Sequence, residues 1–275
     1  MVFNPPLGSS EIEAAFAGRV RSVVEIGSGG QGAVFRATAA LPKKGDVDVA
    51  LKVYHSDEYE ERSAREVRAL KAVNGPTIAR IEDAGSVVIR GNKCPYVMTS
   101  FVQGEVLASR LSGGSVTPGV TAGIGRDIAL AIGLMWEART VHRDIKPSNI
   151  MLGADGRAVL IDLGIARHLS LDSITTTGVA WGTPGYLSPE QARAVRQLSC
   201  ASDVFSLGIV LQECLVGQHP TGRRQQLLIK GGPRTATVRA DVPGPLADVI
   251  DSMVRVKPHF RPSPGVLVQL FTSLL

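Results

Sequence analysis

Along the first hundred residues apolar positions alternate with polar ones. "RVRSVVEIG", "GAVFRATAA" and "DVDVALKVY" are rich in β-branched residues and are separated by Gly-rich or Pro/Lys/Gly-rich turns. That pattern predicts consecutive antiparallel strands. The period then changes. In "SDEYEERSAREVRALKAV", Ala64, Val67, Leu70 and Val73 fall on one face of a charged helix, which Asn74-Gly75-Pro76 ends. "SVVIRG" and "CPYVMTSFV" read as two further strands that complete a small β-rich lobe. Ahead of these elements, residues 1–18 hold a Pro-Pro pair and a short helical candidate, EIEAAFAG, and read as a tail or leader.

After Gly104 the spacing is mainly helical. "PGVTAGIGRDIALAIGLMWEAR", "DVFSLGIVLQECLVG", "PLADVIDSMVRV" and "SPGVLVQLFTSLL" each carry apolar residues at helical intervals. Between the first and second lies "IMLGADGRAVLID", two short strands around an Asp-Gly turn. No internal repeat or low-complexity segment interrupts the series. No apolar run reaches membrane-spanning length, since Asp127, Glu137, Gln212 and Glu213 break the two longest. The expected class is therefore α+β, with a β-rich first lobe and an α-rich second one.

Composition narrows this only slightly. A chain of 275 residues, 44% hydrophobic and 20% charged, suits one large domain or two packed lobes. The formal charge of +5 fits a polyanionic ligand such as a nucleotide phosphate, and equally a solvated surface. There is no dense basic tract of the kind that binds nucleic acid. Three widely spaced cysteines, Cys94, Cys200 and Cys214, form neither a zinc pattern nor a disulfide framework, which points to reduced thiols in a cytosolic protein. The N-terminus lacks the basic start and apolar run of a signal peptide.

Three stretches carry chemistry. "GSGGQGAVF", from Gly27 to Phe35, has glycines at its first, third and sixth positions. Such a run lets backbone amides approach phosphate oxygens without Cβ clashes. The same pattern opens a helix in dinucleotide-binding folds. Here it leads into a strand, so a flexible turn and a phosphate cradle both stay open. "VALK" puts Lys52 on a central strand, where burial is costly unless an anion meets it. Glu66, on the helix that follows, is the available carboxylate, though solvent would satisfy either residue. "VHRDIKPSNIML", Val141 to Leu152, carries a series of charged and polar side chains into an apolar setting and leads on to "LIDLGIAR". Together these offer Asp144, Asn149 and Asp162, the hard oxygen donors that Mg²⁺ prefers alongside phosphates, one of them a candidate base.

The order GSGGQGAV, VALK, an acidic helix residue, HRDIKPSN, DLG, GTPGYLSPE, SDVFSLG and HFRPS resembles the Ser/Thr protein kinase family, most closely its bacterial eukaryotic-like (Hanks-type) members. The resemblance runs from about Arg19 to the C-terminus. It implies a bilobal protein kinase fold: an antiparallel N-lobe of about 19–99 with one main helix, a hinge at 100–103 and a helical C-lobe of 104–275. Gly27, Ser28, Gly29, Gly30 and Gly32 would cover the ATP phosphates. Lys52 would hold the α- and β-phosphates and pair with Glu66. Val34, Ala50 and Met151 would sandwich the adenine, with Thr99 as gatekeeper and the hinge running from Ser100 to Val102. Asn149 and Asp162 would hold Mg²⁺ or Mn²⁺. Asp144 would orient the attacking hydroxyl and accept its proton, and Lys146 would neutralise charge on the γ-phosphate. The DxKxxN arrangement with Thr183 marks the serine/threonine form.

The same resemblance implies regulation and scaffold. Thr175 and Thr177 are the candidate autophosphorylation sites, with Arg143 and Arg167 as clamps for the added phosphate. Glu190 and Arg261 would form a buried ion pair, and Asp203 would accept backbone N–H bonds from the catalytic loop. The implied partners are ATP, a protein with a Ser/Thr acceptor, and a second copy of the chain for autophosphorylation in trans. Neither nucleic acid nor a membrane segment is implied, and the expected location is cytoplasmic. Departures are small: DLG stands for the usual DFG, and SPE for APE. Arg223, Arg224, Lys230 and Arg234 read as a solvated surface, with docking of an acidic substrate as the other reading. Two rivals remain. A nucleotide-binding pseudokinase or scaffold predicts loss of Lys52, Asp144, Asn149 or Asp162, and all four are present. A dinucleotide-binding oxidoreductase predicts alternating βα units after the glycines, which the strand-rich start contradicts.

Overall fold

The computed structural model describes residues 3–29, 32–54, 71, 73–162 and 182–275. It divides into two compact units, Met1–Asn74 with Ala79–Val102, and Gly75–Ile78 with Gln103–Leu275. The first boundary differs from a simple cut after the small lobe. Residues 75–78 belong with the larger unit because Thr77 accepts the Leu160 N–H (2.9 Å) and Ile78 bridges to Leu160.

The small unit is built on one antiparallel sheet. Its strands are β1 (Val20–Gly29), β2 (Gly32–Leu41), β3 (Gly45–Tyr54), β4 (Ile81–Ile89) and β5 (Asn92–Ser100), in the order β1-β2-β3-β5-β4. Alternation along β3 sorts its side chains. Val49, Leu51 and Val53 are fully buried with Phe35 and Met98 in an apolar core. The residues between them, Ala50 and Lys52, take the opposite face. Register places Val34 beside Lys52 and Ala50 beside Thr99, so Val34, Ala50, Lys52 and Thr99 share that face. Four positions far apart in sequence are thus gathered by strand pairing alone.

The stretch read as a leader is part of this unit. Helix α1 (Ser9–Ala15) inserts Ile12, and the flanking Leu7 and Phe16 enter the same core. Phe16 meets Tyr96 edge-on with centroids 4.8 Å apart. Arg90, at the β4–β5 turn, holds both carboxylate oxygens of Glu11 (2.7 and 2.8 Å) and donates to the Pro5 carbonyl (2.7 Å). That guanidinium, with the Gly8 amide, lowers the Glu11 carboxyl to about 2. Periodicity alone did not show this docking, because seven helical residues carry too short a stripe to reveal a partner.

The large unit starts with β6 (Gly104–Val106) and α2 (Leu107–Ser112), followed by α3 (Pro118–Glu137). Thr117 caps α3 and Pro118 opens it, a common N-terminal pairing. Strands β7 (Ile150–Gly153) and β8 (Ala158–Leu160) complete a three-stranded sheet in the order β6-β7-β8. Then come α4 (Pro189–Ala192), α5 (Cys200–Val216), α6 (Thr235–Val238), α7 (Gly244–Met253) and α8 (Pro264–Thr272). Helix α5 is buried on nearly every side, as its continuous apolar composition requires, and Gly217 ends it in the left-handed region at φ 80°. Helices α3 and α8 touch so closely at Gly125 that an added Cβ would lie 2.7 Å from the Phe271 ring. No helix among the described residues is long and apolar enough to cross a membrane.

Candidate active site

The polar stretch that follows α3 is held from below by α5. Asp203, in the first turn of α5, accepts the amides of His142 and Arg143, each at 2.8 Å. Burial pushes its carboxyl above the usual carboxylate range, and the neighbouring His142 and Arg143 with their two amides oppose that rise. Arg143 sits at φ 66°, a conformation that non-glycine residues seldom adopt. Its carbonyl accepts the Gln191 side-chain amide (3.1 Å), so α4 and α5 together over-determine the strained residue. His142 is fully buried. Its Nδ1 accepts the Asp144 amide (3.2 Å), which leaves Nε2–H to donate to the Asp162 carbonyl. One imidazole therefore ties the loop to the residue that ends the β8 segment.

Asp144 is buried and lies at the centre of a closed network. Its Oδ1 accepts the Thr183 hydroxyl at 2.7 Å. Its Oδ2 is 3.0 Å from Lys146 Nζ and 3.3 Å from Asn149 Nδ2. Lys146 also donates to the Thr183 hydroxyl (2.9 Å), so that one OH joins the carboxylate and the ammonium. Asn149 donates again to the Asp144 carbonyl (2.8 Å). Its amide nitrogen is thus pinned, while its side-chain oxygen accepts no hydrogen bond among the described residues. A hard cation prefers an oxygen of this kind, and Asp162, the other proposed ligand, is anchored by its own backbone carbonyl. Asn149 and Asp162 therefore fit a divalent metal chemically. Among the described residues no cluster of three His, Cys, Asp or Glu offers another metal site.

Segment 182–187 is clasped from its far side by residues that had no motif to announce them. Gln225 accepts the Gly185 N–H (2.9 Å) and donates to the Leu187 carbonyl (2.8 Å). His219 donates through Nε2 to the Gly185 carbonyl (2.9 Å), while its Nδ1 accepts the amides of Thr221 (3.2 Å) and Arg223 (2.9 Å). Burial lowers the His219 pKa below the ordinary histidine range, consistent with a ring held neutral. Tyr186 donates to Glu213 (2.6 Å), and burial followed by that bond drives its phenol well above the usual value. These partners all lie in one stretch, 213–225, at the end of α5 and just beyond it, and that stretch carries no motif that assigns them to segment 182–187.

Glu190 and Arg261 meet in the interior through two hydrogen bonds of 2.6 and 2.9 Å. Although burial alone would raise the Glu190 carboxyl, the Arg261 guanidinium holds it below the ordinary range. In the small unit, Gly27, Ser28 and Gly29 close β1 and Gly32 opens β2. Ser100 ends β5, with Val102 just beyond it. Met151 lies on β7, paired with Val106. Gly30, Glu66, Arg167, Thr175 and Thr177 lie outside the described residues.

A protein kinase domain family model matches residues 20–271. Among curated proteins, the serine/threonine-protein kinase pkn2 of Myxococcus xanthus is 36% identical over 215 residues, which is 74% of this chain and 25% of that protein. Serine/threonine-protein kinase AfsK of Streptomyces coelicolor is 33% identical over 253 residues, 88% of this chain and 30% of AfsK. PknB of Mycobacterium tuberculosis is 36% identical over 181 residues, 63% of this chain and 29% of PknB. The chain thus spans about a quarter to a third of the length of these relatives.

Proposed function

The chain belongs to the protein kinase domain family, and on that premise we propose that it is an active serine/threonine kinase that moves the ATP γ-phosphoryl group to Ser or Thr hydroxyls of proteins. The observation that carries this reading is the network of Asp144, Lys146, Asn149 and Thr183. Phosphoryl transfer asks a protein mainly for in-line positioning and for charge to meet charge. A buried carboxylate, a lysine 3.0 Å away and an amide with its oxygen left for a cation supply those needs in one place. Asp144 would orient the acceptor hydroxyl and take its proton. Lys146 would face the transferred group. Asn149 and Asp162 would hold Mg²⁺ or Mn²⁺, which supplies charge neutralisation at the phosphates.

The small unit supports the nucleotide half of the proposal. Val34, Ala50, Lys52 and Thr99 share one sheet face, so aliphatic surface for adenine and an ammonium for phosphate oxygens are presented together. The β1–β2 glycines would let backbone amides approach the phosphates, and Ser100 to Val102 would serve as hinge. Autophosphorylation at Thr175 or Thr177, in trans by a second copy, with Arg143 and Arg167 as the phosphate clamp, belongs to the same proposal, as does a cytoplasmic location where ATP is supplied.

The test is incubation with radiolabelled ATP and Mg²⁺ or Mn²⁺, comparing wild type with Asp144→Asn and Lys52→Met. Label in wild type alone is expected. Equal labelling in all three would sink the assignment. A Thr175→Ala/Thr177→Ala variant that incorporates phosphate and works as well as wild type would remove the autophosphorylation part only.

A further inference from the structure

The positive charge of this chain is concentrated. Residues 191–202 contain Arg193 and Arg196 and no acidic side chain; residues 214–240 contain Arg223, Arg224, Lys230, Arg234 and Arg239, again with no acid. Arg239 is satisfied by Asp241 (2.8 Å). The other six are exposed and together exceed the chain's entire formal excess of +5, so the remainder is close to neutral. Arg193, Arg196, Arg224, Lys230 and Arg234 make no ion pair with any described carboxylate, whereas exposed cations of the small unit such as Arg21, Arg36 and Lys44 each have one. A charge distribution left to solvation alone would mix the signs as the small unit does.

Two contacts bring the cationic stretches together and connect them to the site. Arg193 donates to the Ile229 carbonyl (3.1 Å), joining the turn after α4 to the segment around Lys230. Gln225, directly after Arg224, holds the Gly185 amide and the Leu187 carbonyl, the segment that carries Thr183 to Asp144. Among the cations, Val195 and Leu227 are about half exposed, 46% and 51%, and Ile229 is 36% exposed. Exposed aliphatic side chains interspersed along the chain with cations that form no ion pair among the described residues are a poor arrangement for solvent and a good one for an amphipathic anion. The stretches contain no aromatic side chain, so they lack the stacking platforms on which single-stranded nucleic acid relies.

We propose that this face, built from Arg193, Arg196, Arg224 and Lys230 around Leu227 and Ile229, docks an Asp/Glu-rich segment of the protein substrate and so selects acceptors that carry such a segment apart from the phosphorylated residue. The inference rests on the kinase reading for its purpose, though the binding itself needs no catalysis. The occupant is an acidic peptide because the face combines cations with aliphatic side chains and is continuous with the segment that carries Thr183 to Asp144.

The experiment separates binding from turnover. A fluorescent peptide with a tract of alternating Glu and Leu is titrated against the Asp144→Asn protein by anisotropy, beside a Gln-for-Glu control peptide, an oligonucleotide of equal charge and phosphatidylserine vesicles. Binding of the acidic peptide is expected at least tenfold tighter than the control, and weaker in 0.5 M salt, where screening shortens to a few ångströms. Arg196→Glu/Arg224→Glu/Lys230→Glu should abolish that preference with an unchanged melting temperature. The charge-preserving Arg196→Lys/Arg224→Lys variant, with Lys230 kept, should retain it. In the active protein, the charge-reversed variant should raise KM for the acidic acceptor peptide at least tenfold and leave kcat and the KM for ATP alone. Equal affinity for the control peptide, tighter binding to the oligonucleotide or vesicles, or no effect of charge reversal would overturn the proposal. An inactive wild type that still binds the acidic peptide would refute the kinase reading and leave the docking surface standing.

Discussion

Replacing Arg261 with methionine tests the interior that supports the site. The guanidinium is wholly buried and uses all five of its N–H groups. Two go to Glu190 at 2.6 and 2.9 Å, and three go to the carbonyls of Arg255 (2.8 Å), Ala201 (2.8 Å) and Val256 (2.9 Å). Methionine fills similar space and offers none of these donors. Of its side-chain partners among the described residues, Glu190 would keep the Ser202 hydroxyl at 2.7 Å, with its side chain 11% exposed. Removing one partner of a buried pair costs about 3–5 kcal/mol, chiefly because the other charge is left uncompensated. Removing both, in Glu190→Leu/Arg261→Met, should cost less than the two single changes together by about 2–3 kcal/mol. The sign with pH follows. In wild type the Glu190 carboxyl is held below its ordinary 4.5, so its contribution is present above that value and is lost as pH falls through the lowered one. In Arg261→Met burial acts on it without the guanidinium, and protonation then relieves the penalty. The difference between wild type and variant should therefore shrink on going from pH 7 to pH 4. Urea unfolding of the large unit, followed by the fluorescence of Trp136 on α3 in a Trp181→Phe background, measures it. A loss under about 1 kcal/mol at pH 7, or the same loss at both pH values, would refute the reasoning.

Three other perturbations probe separate links. Thr183→Ala removes the hydroxyl that joins Asp144 to Lys146; hydrogen bonds to charged groups are worth about 1.5–3 kcal/mol, so kcat should drop about 10- to 100-fold with KM for ATP retained, and Thr183→Ser should recover most of it. A rate for the alanine variant within about twofold of wild type would show that the bond is incidental. Asp203→Ala leaves the His142 and Arg143 amides without an acceptor, at about 1–3 kcal/mol each, and should make those two amides exchange hydrogen faster than their neighbours; unchanged protection would contradict the arrangement. His219 has a folded pKa below its ordinary 6.5, so the stability it contributes is full above that value and falls as pH drops through the lowered one. Protonation at Nδ1 would evict the Thr221 and Arg223 amides, and KM for the protein substrate should rise between pH 6.5 and 5 in wild type but not in His219→Gln.

The order of elements was legible in the chain because period-2 and period-3.6 patterns are local properties. The hairpin from β1 to β2 and the pairing of β7 with β8 follow directly from them. Asp203, Glu190 and Arg261 were nameable only because each sits inside a recognisable stretch. His219, Gln225 and Gln191 belong to no such stretch. Their roles depend on three-dimensional closure around Gly185 and Arg143, which no spacing rule encodes. The docked N-terminus escaped notice for a related reason: Leu7, Ile12 and Phe16 are too few to show a period, and only the sheet they cover reveals their purpose. Charge was hidden differently. A total of +5 looks unremarkable until the fold shows Arg193 against Ile229 and the neutral remainder elsewhere.

The glycines at the β1–β2 turn show how structure divides what a motif lumps together. A Cβ on Gly32 would be driven into the Val53 carbonyl of β3, so glycine there is required by strand packing whatever the ligand. At Gly27 and Gly29 an added Cβ would meet nothing within 4 Å among the described residues, and neither residue needs a positive φ. The described residues thus show no steric reason for glycine at these two positions. Close approach by a ligand is the demand the proposed function supplies, as a phosphate met by backbone amides. The two classes separate in experiment. Gly32→Ala should lower the stability of the small unit by about 1–3 kcal/mol through the forced overlap. Gly27→Ala/Gly29→Ala should leave stability within about 1 kcal/mol while raising KM for ATP. If the double variant instead unfolded the small unit and bound ATP normally whenever folded, the turn would be a packing device and the phosphate reading of those two glycines would be wrong.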